Sequence, residues 1–370
     1  MLRRLRRYLV LLLASLVVAY CLYKFGHAIS LQDFQWSVVV ASVEHARISL
    51  LLLSLIAIYG CYALRALRWV RFCRLLGKTD FRNVYKSTLM GFTCVFLLGR
   101  PGEPIRPVLI AQKDSVSIPQ MFGVYVLERV FDMAATAVVA ILALLLFERN
   151  PSGLRASTTV FISARSAGTV LLGGLMAAVV FLVYFRYHGA RWLAARLDMP
   201  KWRQGWRARI VAVLQGFSEG LQGIGSWGDL GVSSAYTVAH WVLVTFVYAW
   251  IIHAFPGTLS TLTLSNVILV LAFTLVGSAA QLPVAGGGSQ AACFLVLTLI
   301  FGVEKEPAAV ASIVIWLITF AACSLVGLPL LLREGWSMGE LWRLARAEEK
   351  AEETQLLSDA QRAALKENPD

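Results

Sequence analysis

Six stretches of this chain are apolar over about the length that crosses a bilayer. A helix needs about 20 residues for that, at 1.5 Å of rise each. The crossings are predicted at Tyr8–Ala28, Ile48–Leu64, Gln120–Phe147, Thr169–Phe185, Val232–Phe255 and Ala308–Leu332. Two further apolar stretches, Val84–Ile110 and Leu264–Phe301, are interrupted. Hydrocarbon offers backbone groups no partner, so spanning segments satisfy their own hydrogen bonds as helices. The expected fold class is therefore all-α integral membrane: a polytopic bundle of about six crossings plus two broken or re-entrant hairpins. Composition agrees. Of 370 residues, 58% are hydrophobic and 15% charged, which excludes a water-soluble enzyme and a disordered chain.

The formal charge of +12 comes from 34 Lys+Arg against 22 Asp+Glu. In a soluble protein such an excess would raise nucleic acid as a partner. In an apolar chain, basic residues collect in cytoplasmic loops. Clusters at Arg3–Arg7, Arg65–Arg82, Arg186–Arg209 and Arg333–Arg346 flank the predicted spans. An N-terminus in the cytoplasm puts nearly all of them inside, and the C-terminus with them; the Glu148–Ala167 loop fits least well. The expected location is the cytoplasmic (inner) membrane, multi-pass. The first span also has the basic start of a signal peptide, but its apolar run is long for one and no A-x-A site follows. Residues 1–335 read as one membrane domain, and residues 336–370 as a charged cytoplasmic tail, helical to disordered. In the loop Arg186–Leu230, Trp192, Trp202 and Trp206 alternate with basic residues, which fits either an interfacial segment or a solvated loop. The six cysteines show no paired spacing and read as small packing residues.

The first interruption is Gly99-Arg100-Pro101-Gly102-Glu103-Pro104-Ile105-Arg106-Pro107, where prolines and glycines forbid continuous helix. The second is Gln281-Leu282-Pro283-Val284-Ala285-Gly286-Gly287-Gly288-Ser289-Gln290. Each half of the chain reads span, span, broken segment, span. Three crossings per half is an odd number, so the second half is expected to be inverted relative to the first. Interrupted segments at matching places in two halves point to a transporter's binding site. Two ordinary kinked spans are the plainer alternative.

Charges also occur where lipid is expected. Glu128, Arg129 and Asp132 lie inside a predicted span, about 15 Å along the helix from its start. Intramembrane charges are costly, usually paired, and face the bundle interior or a wet cavity. Glu128 and Asp132 share a helix face. The first broken segment supplies Arg100, Glu103 and Arg106. Together these are three Arg and three carboxylates, formally neutral. They serve either to pin the hairpin to the third crossing, or to present guanidinium groups to phosphate oxygens. The run Gly286-Gly287-Gly288 is a candidate backbone anion nest or a packing hinge, with the polar Gln290 beside it. The expected binding residues are thus Arg100, Gly102, Glu103, Arg106, Glu128, Arg129, Asp132, Gly286, Gly287, Gly288 and Gln290. No catalytic residue, metal site or cofactor is expected. The five histidines lack ligand spacing, and His240 reads as a hydrogen-bonded structural residue. Gly223-Ile224-Gly225-Ser226-Trp227-Gly228 matches G-x-G-x-x-G by letter only, with no strand before it.

The stretch from Gly99 to Pro107, followed by Glu128-Arg129-Val130-Phe131-Asp132, resembles the transmembrane domain of lysylphosphatidylglycerol synthase, a flippase-like family. The family pattern is G-R-x-G-E-x-x-R, then E-R-x-x-D on a span, then a late glycine-rich stretch ending in an acid. The resemblance covers most of Leu50–Leu332. The late stretch departs from the pattern, since Val284 and Ala285 precede the glycines and Gln290 stands where an acid is common. The full synthases also carry an aminoacyl-transfer domain, which this sequence lacks, so lipid aminoacylation is not expected. The resemblance implies a lipid flippase or transporter, not an enzyme. It would bind the phosphate headgroup of an anionic or polyprenyl-phosphate-linked lipid as its membrane partner, with no nucleic acid. The alternatives are an integral-membrane glycosyl- or group-transferase using a lipid-phosphate donor, with Glu103, Glu128 or Asp132 as base, and a non-catalytic partner of a lipid-synthesis complex.

Overall fold

The structure is a computed structural model that describes residues 35–77, 79–114, 116–149, 216, 219–220, 223–278, 281–282, 286–336 and 339. The expected crossings at Tyr8–Ala28 and Thr169–Phe185 lie outside the described residues, as do most of the Arg186–Leu230 loop and nearly all of the tail.

Helix α1 (Trp36–Glu44) leads into α2 (Ile48–Cys73). The span expected to end at Leu64 therefore continues for more than two turns. No Gly or Pro interrupts Arg65–Cys73, and apolar residues keep the helical period there, so Ala66, Trp69, Phe72 and Cys73 are all buried. Helix α5 (Ile118–Arg149) covers the expected third crossing, and α6 (Trp227–Ala254) covers the fifth. Ser226 caps α6, its hydroxyl accepting from the Asp229 N–H. Residues Lys305–Arg333 form the last rod, α9 (Lys305–Trp316) and α10 (Cys323–Arg333) joined by a π-helical turn at Leu317–Ala321. Three rods, α2, α6 and Lys305–Arg333, are long and apolar enough to cross a membrane among the described residues.

Both broken segments form hairpins. In the first, α3 (Phe81–Leu98) and α4 (Ile105–Asp114) are joined through a 3-10 turn at Arg100–Gly102. Gly99 makes the break: its φ of 75° and ψ of −153° are backbone angles that side chains resist. Gly102 seals the hairpin, because a Cβ there would collide with the Cys94 carbonyl. In the second, α7 (Leu264–Gly277) faces α8 (Gly288–Leu295), which runs on into a π-helical turn at Val296–Ile300. A Cβ on Gly277 would meet the Gly288 carbonyl. The second tip is closed by a small ladder, β1 (Gln281–Leu282) pairing antiparallel with β2 (Gly286–Gly287).

The packing repeats between the halves. Match α2, α3, α4 and α5 in order with α6, α7, α8 and the α9–α10 rod. The α3–α10 contact then maps onto α7–α5, α4–α5 onto α8–α9, and α2–α3 onto α6–α7, while α2–α6 maps onto itself. The matched pair α2 and α6 run antiparallel. The Arg47 N–H donates to the Ala254 carbonyl at one end of the seam, the Cys61 carbonyl meets His240 midway, and Arg71 meets Asp229 at the other end. Antiparallel counterparts make this an inverted repeat, as the order of segments predicts.

Candidate functional site at the hairpin tips

The middle of α5, the second half of α2 and the start of α4 meet in an arginine–carboxylate cluster. Glu128 is its centre and is fully buried. Its carboxylate accepts from Arg65 Nε at 3.2 Å, from Arg68 Nη2 at 3.1 Å and from both terminal nitrogens of Arg106. One helical turn on, Asp132 pairs with Arg65, with Arg68 at 2.7 Å and with Arg129 at 3.4 Å. Arg68 also donates to Thr237 Oγ1 at 2.8 Å, which ties α6 into the network. Charges this deep survive only if paired, because several kcal/mol of desolvation must be offset for each ion.

Aromatic rings frame the cations. The Arg106 guanidinium lies 4.6 Å from the Trp69 ring centroid and 5.5 Å from that of Phe92. Arg65 lies 5.1 Å from Phe92, and Arg129 lies 5.1 Å from Tyr125. Such placement adds about 0.5–2 kcal/mol per pair and fixes the guanidinium planes. Arg106 reaches its position because Gly91 opposite has no side chain to block its Cβ.

At the first hairpin's tip, Arg100 donates to Glu103 at 3.2 Å and to the Ser278 carbonyl of the second hairpin at 3.2 Å. The two tips therefore touch. Glu103 also accepts from the Tyr125 hydroxyl and lies 3.7 Å from Arg129.

A cavity of about 340 Å³ lies beside this cluster. Arg65, Arg100, Glu103, Arg106, Arg129 and Asp132 form its polar wall, with His240. Phe92, Leu271, Leu275, Trp316 and Phe320 form an apolar wall, and the second hairpin contributes Ser278, Ser289 and Gln290. The π-helical turn at Leu317–Ala321 belongs to this wall. It frees carbonyls near the cavity, and α2 uses them: Tyr62 donates to the Thr319 carbonyl at 3.3 Å, and Tyr59 to that of Ala322 at 2.7 Å.

Of the predicted residues, Arg100, Glu103, Arg106, Arg129, Asp132 and Gln290 line the cavity. Glu128 sits behind its wall, and Gly102 packs the hairpin turn. Gly287 and Gly288 are not among the residues that line it. Gly286 and Gly287 belong to the β1–β2 ladder, and the Gly287 N–H donates to the Gln290 side chain. That bond commits the Gly287 N–H to the hairpin tip. The formal neutrality of the cluster is corrected. Arg65 and Arg68, assigned from sequence to a cytoplasmic loop, lie on α2 and belong to the buried network. Their i,i+3 spacing on an unbroken helical pattern was the available signal. His240, Tyr125 and Thr237 are further members that the sequence did not single out for binding. His240 Nδ1 meets the Cys61 carbonyl at 3.2 Å, in line with its expected hydrogen-bonded role. Among the described residues, no group of three or more His, Cys, Asp and Glu is placed to hold a metal ion.

No curated protein and no solved structure matches the chain significantly. A family does: the one described as the lysylphosphatidylglycerol synthase TM region matches residues 10–327, spanning both hairpins, the charged helix and the cavity. The chain is thus a multi-pass membrane protein that belongs to the lysylphosphatidylglycerol synthase transmembrane-region family.

Proposed function

We propose that this protein is a lipid carrier of the cytoplasmic membrane that binds the phosphate headgroup of an anionic lipid and moves it between leaflets. The observation that carries this reading is the two-sided cavity at the hairpin tips. Four guanidinium groups, from Arg65, Arg100, Arg106 and Arg129, stand on one wall, and aromatic and aliphatic side chains on the other. A phosphate with hydrocarbon attached needs both. Guanidinium is the donor suited to phosphate oxygens, and a membrane-depth cavity between inverted halves is where alternating access is organised.

Each carboxylate of the cluster is held by guanidinium groups. Their oxygens are taken up by these partners, which favours a carrier over a transferase needing a free general base. The distribution of basic residues supports a cytoplasmic location for both termini.

Purified protein in liposomes tests the reading. Fluorescent phosphatidylglycerol or a polyprenyl phosphate, initially in one leaflet, should cross faster than in protein-free vesicles. Unchanged rates with every anionic lipid tried overturn it.

A further inference from the structure

The cluster is not neutral. Arg65, Arg68, Arg100, Arg106 and Arg129 stand against Glu103, Glu128 and Asp132, so five positive groups meet three negative ones. Setting aside the Arg100–Glu103 pair at the tip leaves four against two. Either way two positive charges are unmatched. His240, the titratable group on the α6 side of the cavity, bonds through Nδ1 to a backbone carbonyl and supplies no anion. Glu128 already receives Arg65, Arg68, Arg106 and Arg129, and the described residues place no further carboxylate in the cluster. Arg129 Nε is buried and finds no acceptor among the described residues. Uncompensated charge at this depth is strongly disfavoured, so the loaded state calls for an anion of matching charge.

We infer that the cavity is built for a phosphate monoester dianion, carried on a lipid, in preference to the singly charged phosphodiester of ordinary phospholipids. This rests on the lipid-binding reading above and narrows it. A terminal phosphate offers three oxygens to converging guanidinium groups, where a diester offers two. It also brings up to two charges, against one. The apolar wall of Phe92, Leu271, Leu275, Trp316 and Phe320 lies in the same cavity, so the hydrocarbon can follow the phosphate without a bulky headgroup beyond it.

Binding to purified protein in nanodiscs tests this with four probes: a polyprenyl monophosphate, phosphatidic acid, phosphatidylglycerol and inorganic phosphate. At pH 7.5 the two monoester lipids should bind at least about tenfold tighter than phosphatidylglycerol, since one additional charge meets the cluster. A monoester loses its second charge around pH 6. The advantage should therefore shrink towards parity by pH 5. Phosphatidylglycerol faces the same protein groups, so its own pH dependence corrects for titration of Glu103, Glu128, Asp132 and His240. Arg65→Gln lowers the cluster's net positive excess by one and should reduce the monoester advantage at least threefold, while Arg65→Lys retains most of it. If Arg65→Gln fails to fold, the pH comparison on the wild type decides alone. Equal binding of monoester and diester lipids at pH 7.5 overturns the inference, and so does tight binding of inorganic phosphate with none of either monoester lipid. Accelerated flipping of phosphatidylglycerol with no monoester preference would sink this inference and leave the carrier reading standing. Monoester preference without flipping would do the reverse.

Discussion

At the scale of single residues, position within one cluster separates side chains of the same type. Arg106 and Arg100 belong to one sequence motif, yet Arg106 is 4% exposed and the Arg100 side chain 55% exposed. Glu128 has no exposure and answers to four guanidinium groups, from Arg65, Arg68, Arg106 and Arg129. Glu128→Ala should therefore cost about 3–5 kcal/mol, because it strands buried cations. Arg100→Ala should shift stability by less than about 1 kcal/mol, as expected of an exposed pair, while slowing lipid transfer. Thermal unfolding of the two variants alongside a flipping assay checks both outcomes. A stable, active Glu128→Ala protein would show that the cluster is not held as described. Glu128, Arg129 and Asp132 were legible in the sequence because charges inside an apolar run contradict their surroundings. Arg65 and Arg68 were not, because arginines at the end of an apolar run look like the start of a cytoplasmic loop. Their i,i+3 spacing on an unbroken helical pattern is a hint, but the partners that draw them into the cluster, Glu128 and Thr237, are distant in sequence.

At the scale of elements, the hairpins depend on close backbone approach. Gly102 and Gly277 each stand where a Cβ would strike a carbonyl of the opposing arm. Gly102→Val and Gly277→Val should each destabilise by about 1–3 kcal/mol through overpacking and pull the tips apart. Thermal unfolding and protease sensitivity read the first effect, and loss of transfer the second. Wild-type behaviour of both variants would show that the arms have room to spare. The existence of both hairpins was legible, since Pro and Gly clusters in apolar runs leave few other folds. The ladder between Gln281–Leu282 and Gly286–Gly287 was not, because two-residue strands carry no periodicity. Nor were the π-helical turns; at Leu317–Ala321 the accompanying contacts are tyrosine hydroxyls of α2, far away in sequence, donating to the Thr319 and Ala322 carbonyls.

At the scale of the whole molecule, the antiparallel seam of α2 and α6 fixes how the halves relate. The mouths of the two hairpins should face opposite sides of the membrane. Ser117, exposed before α5, and Ser260, exposed before α7, mark those mouths. Ser117→Cys and Ser260→Cys should react with an impermeant thiol reagent from opposite faces of sealed vesicles. Labelling of both from one face would contradict the inverted arrangement. The repeat was legible from the order of spans, but its axis was not, since the contacts that define it join residues more than 150 positions apart, such as Cys61 and His240. That axis relates backbones and not charges. Every arginine of the cluster comes from the first half, between Arg65 and Arg129, while the second half faces the cavity with Ser278, Ser289, Gln290 and His240. Two halves alike in shape supply two poses of similar packing. With charge on one half alone, those poses differ in energy whenever the cavity is empty. A carrier of the kind proposed would then have a resting side, and its cargo would supply the energy to leave it.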